Sequence, residues 1–194
     1  TRLDEKRLER FRIKLGLMHM VARNCDGTGG DVAMFWRRGI NVTLKWKGKM
    51  HIDTIVTEDD GFKWRLTGIY GDPKDKANTW RLLRTLHHQE KLSWLCIGDF
   101  NEIMYSYDKD GGNPRPNAMM QEFQNCLGDC GLYDLGYVGD CLTWRRGEIR
   151  ERLDRTICNV EWLNKFPKAG IINEEHVHSD HRPLIFDTEY LEIL

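Results

Sequence analysis

The chain has 194 residues, 40% hydrophobic and 30% charged, with 29 lysines and arginines against 30 aspartates and glutamates. That length fits a single domain, 1–194, with enough apolar material for a real core, and the composition argues against disorder. A net charge of −1 excludes a polycation that grips nucleic acid with its whole surface; such binding needs a local basic face.

No apolar run approaches the roughly 20 residues that span a bilayer, and no signal peptide is visible, so a soluble, intracellular protein is expected. Six cysteines (Cys25, Cys96, Cys126, Cys130, Cys141 and Cys158) are scattered without the paired couplets of a zinc site. They read as reduced, buried or half-buried thiols, which fits a reducing compartment. The first residue is Thr1 rather than Met, the mark of a fragment or a processed chain.

Residues 2–15 read as a helix, with Leu3, Leu8, Phe11 and Leu15 at helical spacing and Gly16 as its stop. Arg2, Lys6, Arg7, Arg10 and Lys14 make a solvated face. From Gly29 the pattern becomes β. An apolar run at 31–36 is followed by alternation at 41–46 and 51–56 about a turn at Gly48, then by a strand at 64–70 beyond the Glu58-Asp59-Asp60-Gly61 turn. Trp80, Leu82, Leu83 and Leu86 mark an amphipathic helix ending near His87-His88, and 92–97 is an apolar strand stopping at Gly98-Asp99-Phe100-Asn101. A polar loop at 109–117 precedes a helix carrying Met120, Phe123, Leu127 and Cys130, closed by Gly131. Residues 142–144 and 152–157 read as short strands flanking a charged turn. A short helix at 162–166 stops at Pro167, and strands at 171–172 and 183–186 flank His178-Ser179-Asp180-His181. No repeat or linker divides the chain, so one mixed α/β domain is expected.

Polar residues with catalytic potential sit at strand ends, where a rigid sheet can hold them. Asp99 and Asn101 lie two apart after an apolar strand, so on an extended backbone they face the same way. A carboxylate beside an amide suits a phosphoester: one handles a proton or a water, the other donates to a phosphate oxygen. Asp180 and His181 are adjacent and point to opposite sides, which suits two separate roles. His176, His178 and His181 suggest a metal cluster, but no further ligand completes the spacing. In the segment 149–155, a salt-bridged surface strand is one reading; the other has Asp154 facing the site and orienting a histidine.

The order of these segments is more specific than any one of them. Gly-Ile-Tyr-Gly (68–71), Ile-Gly-Asp-Phe-Asn (97–101), Leu-Thr-Trp (142–144), Arg-Leu-Asp-Arg (152–155) and Ser-Asp-His-Arg-Pro-Leu (179–184) resemble the endonuclease/exonuclease/phosphatase (DNase I-like) family. The text between them, including Gly-Gly-Asn-Pro-Arg-Pro and Cys-Gly-Leu-Tyr-Asp-Leu-Gly, is similar to the endonuclease domain of plant LINE-type (non-LTR) retrotransposons. The resemblance implies a four-layer α/β (α+β) sandwich of two packed mixed β-sheets flanked by helices. It implies a Mg²⁺-dependent hydrolase that nicks DNA, in the nucleus if the target is genomic, with no membrane and no cofactor beyond the metal. It casts Asp99 as the residue activating water, Asn101 as its positioning amide, His181 as the imidazole on the phosphate and Asp154 as its orienter. Tyr70 becomes a phosphate contact, Asp180 an acid near the metal, Thr143 a DNA contact, and Arg145, Arg146 and Arg150 a hairpin reaching a DNA groove.

Relatives begin with a strand ending in an Asn motif and a second ending in Gln-Glu-Thr, whose Glu is the main metal ligand. The resemblance starts here at that Thr, implying that both residues and two inner strands are lacking and that cleavage is impaired. Two other readings stand beside it: a catalytically inactive remnant that binds nucleic acid or protein, and the same chemistry directed at a phosphorylated lipid or inositol.

Overall fold

The computed structural model describes residues 5–22, 32–176 and 179–192. In chain order the elements begin with α1 (Glu5–Lys14), β1 (His19–Ala22) and β2 (Ala33–Trp36). A meander follows, β3 (Asn41–Lys47), β4 (His51–Thr57) and β5 (Lys63–Tyr70), then α2 (Lys76–Gln89) and β6 (Ser93–Asp99). The middle contains β7 (Lys109–Asp110), α3 (Asn117–Cys130), β8 (Leu132–Asp134) and β9 (Val138–Gly139). The last part contains β10 (Trp144–Arg146), β11 (Ile149–Glu151), β12 (Asp154–Asn159), α4 (Val160–Lys165), β13 (Gly170–Asn173) and β14 (Leu184–Asp187).

The frame is a six-stranded mixed sheet in the order β3-β4-β5-β6-β12-β8. The hairpins β3–β4 and β4–β5 are antiparallel, while β5 and β6 run parallel because α2 carries the chain back across the sheet. Alternation along the strands sorts their side chains onto two faces. On one, Ile69, Cys96 and Ile157 pack with Trp80 and Leu83 of α2 and Phe123, Cys126 and Leu127 of α3. On the other, Trp64, Leu95 and Cys158 meet Trp162 of α4 and Phe166, with Phe186 of β14 against them. The sheet β14-β13-β9 is thereby brought to that second face. Met34 of β2 lies on the same side, its sulfur 3.8 Å from Thr54 Oγ1.

The α2 start is fixed by Asp75, whose carboxylate accepts from Ala77 N at 3.1 Å. Two buried ionic knots tie the layers. Arg65 gives a forked pair to Asp53 and caps α2 through Leu86 O, and Arg155 binds both Asp108 and Asp134.

The structure departs from the sequence expectations at several places. Of the expected α1 stripe only Leu8 is buried; Phe11 and Leu15 are exposed, and Leu3 lies outside the described residues. The spacing sets a common face but not whether anything packs on it. β1, β8 and β9 are extra short strands; β8 and β9 pair with β12 and β13, which are distant in sequence, and β1 pairs with the next strand, β2. The strand expected at 142–144 begins only at Trp144, because Leu142 and Thr143 serve the last segment of the chain instead. Residues 152–153 break the expected 152–157 strand, separating the hairpin β10–β11 from β12. The described cysteines Cys96, Cys126, Cys130, Cys141 and Cys158 are free thiols, all buried except half-buried Cys141, and Cys25 lies outside the described residues.

Candidate active site

Three adjacent strands end level with one another. In β5–β6 Tyr70 pairs with Asp99, and in β6–β12 Asp99 pairs with Asp154, so Tyr70, Asp99 and Asp154 form a row across the sheet. At about 4.8 Å between strands, that row is on the order of 10 Å long. It floors a cleft of about 1020 Å³ whose walls include Lys74, Lys76, Arg115, Trp144, Arg146, Asp180 and His181.

His181 reaches the row from the end of the chain. Trp144 and His181 form an isolated antiparallel bridge, Arg145 N donates to Asp180 O, and Arg182 N donates to Thr143 O. The Arg182 guanidinium tightens this seam, donating to Leu142 O and to the Asp140 carboxylate. His181 Nδ1 then lies 2.8 Å from Asp154 Oδ2, with Nε2 3.9 Å from Asp99 Oδ2. A carboxylate acceptor at Nδ1 places the ring proton there and turns Nε2 toward the cleft.

The electrostatics follow from burial. Loss of water, with Asp154 alongside, pushes Asp99 up to about 7. Burial disfavours charge on His181, but its bond to Asp154 and the charges of Asp154, Asp99 and Asp180 outweigh this, raising it above 6.5. Asp99 therefore changes protonation near neutral pH, the condition for proton transfer there, while His181 holds its proton to higher pH than a free imidazole.

Asn101 meets Asp99, though not by strand alternation. The backbone turns sharply at Asn101 (φ 54°), Asp99 Oδ1 accepts its N–H at 2.7 Å, and its amide donates to Asp99 Oδ2 and to Gly71 O. Asp180 and His181 bond to different partners: Asp180 Oδ2 accepts from the Trp144 indole at 3.1 Å, while His181 Nδ1 meets Asp154.

Thr143 is not at the surface. It is fully buried, and its hydroxyl accepts from both Leu153 N and Asp154 N, so the side chain lies beneath the site rather than where DNA could touch it. Of the three hairpin arginines, Arg146 lines the cleft, whereas Arg150 is exposed and bound to Asp110 at 2.6 Å, its register partner in β7. Arg145, paired across the hairpin with Arg150, is exposed and does not line the cleft.

Sequence reading did not single out Lys76 or Arg115. Arg115 lies in the Gly-Gly-Asn-Pro-Arg-Pro loop and spans two buried carboxylates, Glu102 at 2.9 Å and Glu151 at 2.8 Å. The doublet of prolines about an arginine was the available signal.

Among the described residues no three His, Cys, Asp or Glu side chains converge on one point as metal ligands. His178 lies outside the described residues, so the histidine cluster has no structural support in His176 and His181 alone. The cleft does offer hard carboxylate oxygens. A small divalent cation is commonly held by one or two of these, with water and phosphate completing its shell. The donor set fits that loose mode of binding and not a cage built from protein.

No known family model and no curated protein matches the sequence. Solved structures do match. The endonuclease domain of TRAS1, a telomere-specific non-LTR retrotransposon, aligns with a TM-score of 0.66 at 18% identity, covering 87% of this chain and 78% of that one. An endonuclease/exonuclease/phosphatase protein of Beutenbergia cavernae gives 0.59 at 13% identity, over 93% of this chain and 56% of its own. ANGEL2, a 2',3'-cyclic phosphatase, gives 0.53 at 12%, over 94% and 69%. The mixed α/β architecture is thus the DNase I-like fold of endonuclease/exonuclease/phosphatase proteins.

Proposed function

We propose that this chain is a phosphodiester hydrolase that nicks DNA, the endonuclease domain of a LINE-type retroelement close to those of plants, acting in the nucleus on genomic DNA. The observation that carries the reading is the row Tyr70–Asp99–Asp154 with His181 hydrogen-bonded to Asp154 and facing Asp99. A fold likeness alone does not carry an activity; these side chains are what supports the reading. Asp99, ionised, takes a proton from the attacking water, and Asn101 holds its carboxylate in orientation. His181, protonated and steadied by Asp154, binds the phosphate oxygens, while Tyr70 and Arg146 position the strand. Preorganised donors of this kind contribute about 2.7–4 kcal/mol each.

Mg²⁺ is part of the proposal, with Asp180 the carboxylate that would hold it. When bound, such an ion polarises a phosphoryl oxygen and lowers the pKa of its water. Weak metal binding and low activity in this chain are part of the proposal, since one or two carboxylates, with no third ligand converging among the described residues, hold such an ion loosely before phosphate arrives. The same observation favours a second reading, a non-catalytic module that binds nucleic acid or protein.

The test is nicking of supercoiled plasmid with Mg²⁺, comparing the chain with His181→Ala. Relaxed circles with the wild type and none with the variant support hydrolysis at this site. No nicking by folded protein, with DNA binding retained, supports the binding module. Equal nicking by both proteins overturns the assignment.

A further inference from the structure

The row of Tyr70, Asp99 and Asp154 has basic groups leading away from each end. β5 ends at Tyr70 and the chain passes directly through Lys74 and Lys76 into α2, while Arg146 stands on the hairpin that leads into Asp154. Duplex DNA carries one phosphate per about 3.4 Å of axis on each strand, and because the backbone winds about that axis neighbouring phosphates stand farther apart than this; with the cleaved phosphate at Asp99, its neighbours fall toward the basic groups at the two ends of the row.

Lys76 is distinctive among these cations. Its amine is half-buried on the cleft wall, within electrostatic reach of Glu102, Arg115 and Asp99. It forms no ion pair among the described residues, and its ammonium donates to Pro73 O at 3.3 Å. Beside it Glu102 is fully buried. One carboxylate oxygen accepts from Ile103 N and meets Arg115, and the other has no hydrogen-bond partner. Arg115 is shared with Glu151, which also binds Lys109. Arg115 engages both Glu102 and Glu151, and Lys109 pairs with Glu151, while Asp99 and Asp72 act on Lys76 only at longer range; the Lys76 ammonium is thus left without an ion-pair partner among the described residues and faces the cleft.

The loop presenting it is firmly tied. Asp72 accepts from Lys74 N and Asp75 N and from the Asn78 amide, its own N–H donates to Thr79 Oγ1, and Gly71 N donates to Asp99 O. The position of Lys76 relative to Asp99 is thus set before any ligand arrives.

We propose that Lys76 is a phosphate-binding residue for the phosphodiester adjacent to the cleaved one on the Tyr70 side of the row, with the buried Glu102–Arg115 pair holding the wall beneath it. This rests on the reading of the cleft as a DNA site. Lys76 binds a non-bridging phosphate oxygen as a point charge and takes no part in bond cleavage. The subsite senses the backbone and not the base, so its effect is uniform across sequences.

The experiment is a salt titration of the affinity for a short duplex, run with Lys76→Gln, Lys76→Arg and, as control, the exposed Lys45→Gln. Nicking kinetics are measured on the same proteins. One lost phosphate contact reduces the steepness of log K against log salt by about 0.9. Lys76→Gln is expected to lose about that much and to raise KM while leaving kcat within about twofold, Lys76→Arg to retain the wild-type slope, and Lys45→Gln to match wild type. An unchanged slope in Lys76→Gln, or the same loss in Lys45→Gln, overturns the subsite even if nicking persists. A wild-type slope that Lys76→Gln reduces, without nicking by any of the proteins, overturns the hydrolase reading and keeps the subsite. Absence of DNA binding by folded wild-type protein overturns both.

Discussion

Asp154 and His181 are 27 positions apart in sequence, yet Asp154 Oδ2 and His181 Nδ1 lie 2.8 Å from one another. The contact is made because β12 begins at Asp154 beside Asp99, while the bridge between Trp144 and His181 fastens the last segment against the foot of the hairpin. It ties the protonation of the imidazole to a carboxylate that also raises Asp99.

That coupling gives a pH profile. The base Asp99 must be ionised, so activity rises as pH passes about 7; His181 must be protonated, so activity falls above its own raised pKa. The expected profile of kcat/KM is a bell, with Asp99 setting the acid limb at about pH 7 and His181 the alkaline limb. Asp154→Asn removes charge that holds both groups up, so both limbs move to lower pH, and the maximum falls by roughly 10²–10⁴-fold if the proton transfers depend on this pair. Nicking rates from pH 5 to 9 check it; an acid limb that stays in place in the variant would count against Asp154 as the neighbour that raises Asp99.

Stability should change in the opposite sense at the same residue. The folded-state pKa of Asp99 is raised from 3.8 to about 7, so the folded state holds this proton more tightly than the unfolded chain. Stability therefore falls as pH rises from about 4 through 7. Asp99→Asn removes that ionisation while leaving a similar shape. It is expected to raise Tm at pH 8 relative to wild type by roughly 2 °C or more, the effect of about 1 kcal/mol on a domain of this size. At pH 4 the gain should largely vanish. Thermal melts of the two proteins at both pH values decide the matter, and a gain of equal size at each would rule out this cause.

The sheet register is equally open to test. Gly98 sits beside Ile69 where β5 and β6 run parallel, at φ 145°, and a Cβ there would stand 2.0 Å from Ile69 O. The backbones approach too closely for any side chain. Gly98→Ala forces the strands apart next to Asp99, with an expected loss on the order of 3 kcal/mol from strain and broken pairing. The measured Tm should fall by at least roughly 6 °C. Retention of the wild-type Tm would mean that the Tyr70–Asp99 register is not the one described.

These residues show what a sequence can carry. Asp99, Asp154 and His181 were legible because each adjoins an apolar strand segment, where a polar residue stands out against its neighbours. The parallel pairing that sets Tyr70 level with Asp99 was not, since it depends on α2 returning the chain. Arg115 was hidden for a related reason: its partners Glu102 and Glu151 are brought together only in three dimensions. In α1, periodicity located the helix but misplaced burial, because Phe11 and Leu15 share a spacing with Leu8 without sharing its contacts.

Thr143 supplies the last test, because the family resemblance and the structure point to different roles. The resemblance implies DNA contact, but this hydroxyl is buried and accepts from Leu153 N and Asp154 N at 3.1 and 3.0 Å. Thr143→Val keeps the shape and leaves two buried N–H groups without an acceptor, at about 1–3 kcal/mol for each left unsatisfied. Asp154 then loses the support that sets its distance to His181. The expected result is a lower Tm together with a fall in kcat, while KM and the salt dependence of DNA binding stay at wild-type values. Thr143→Ser, which keeps the acceptor, should recover most of both losses. A Thr143→Val protein with normal Tm and kcat but a shallower salt dependence would instead make Thr143 a phosphate contact, because only a group that meets the backbone of DNA changes that slope.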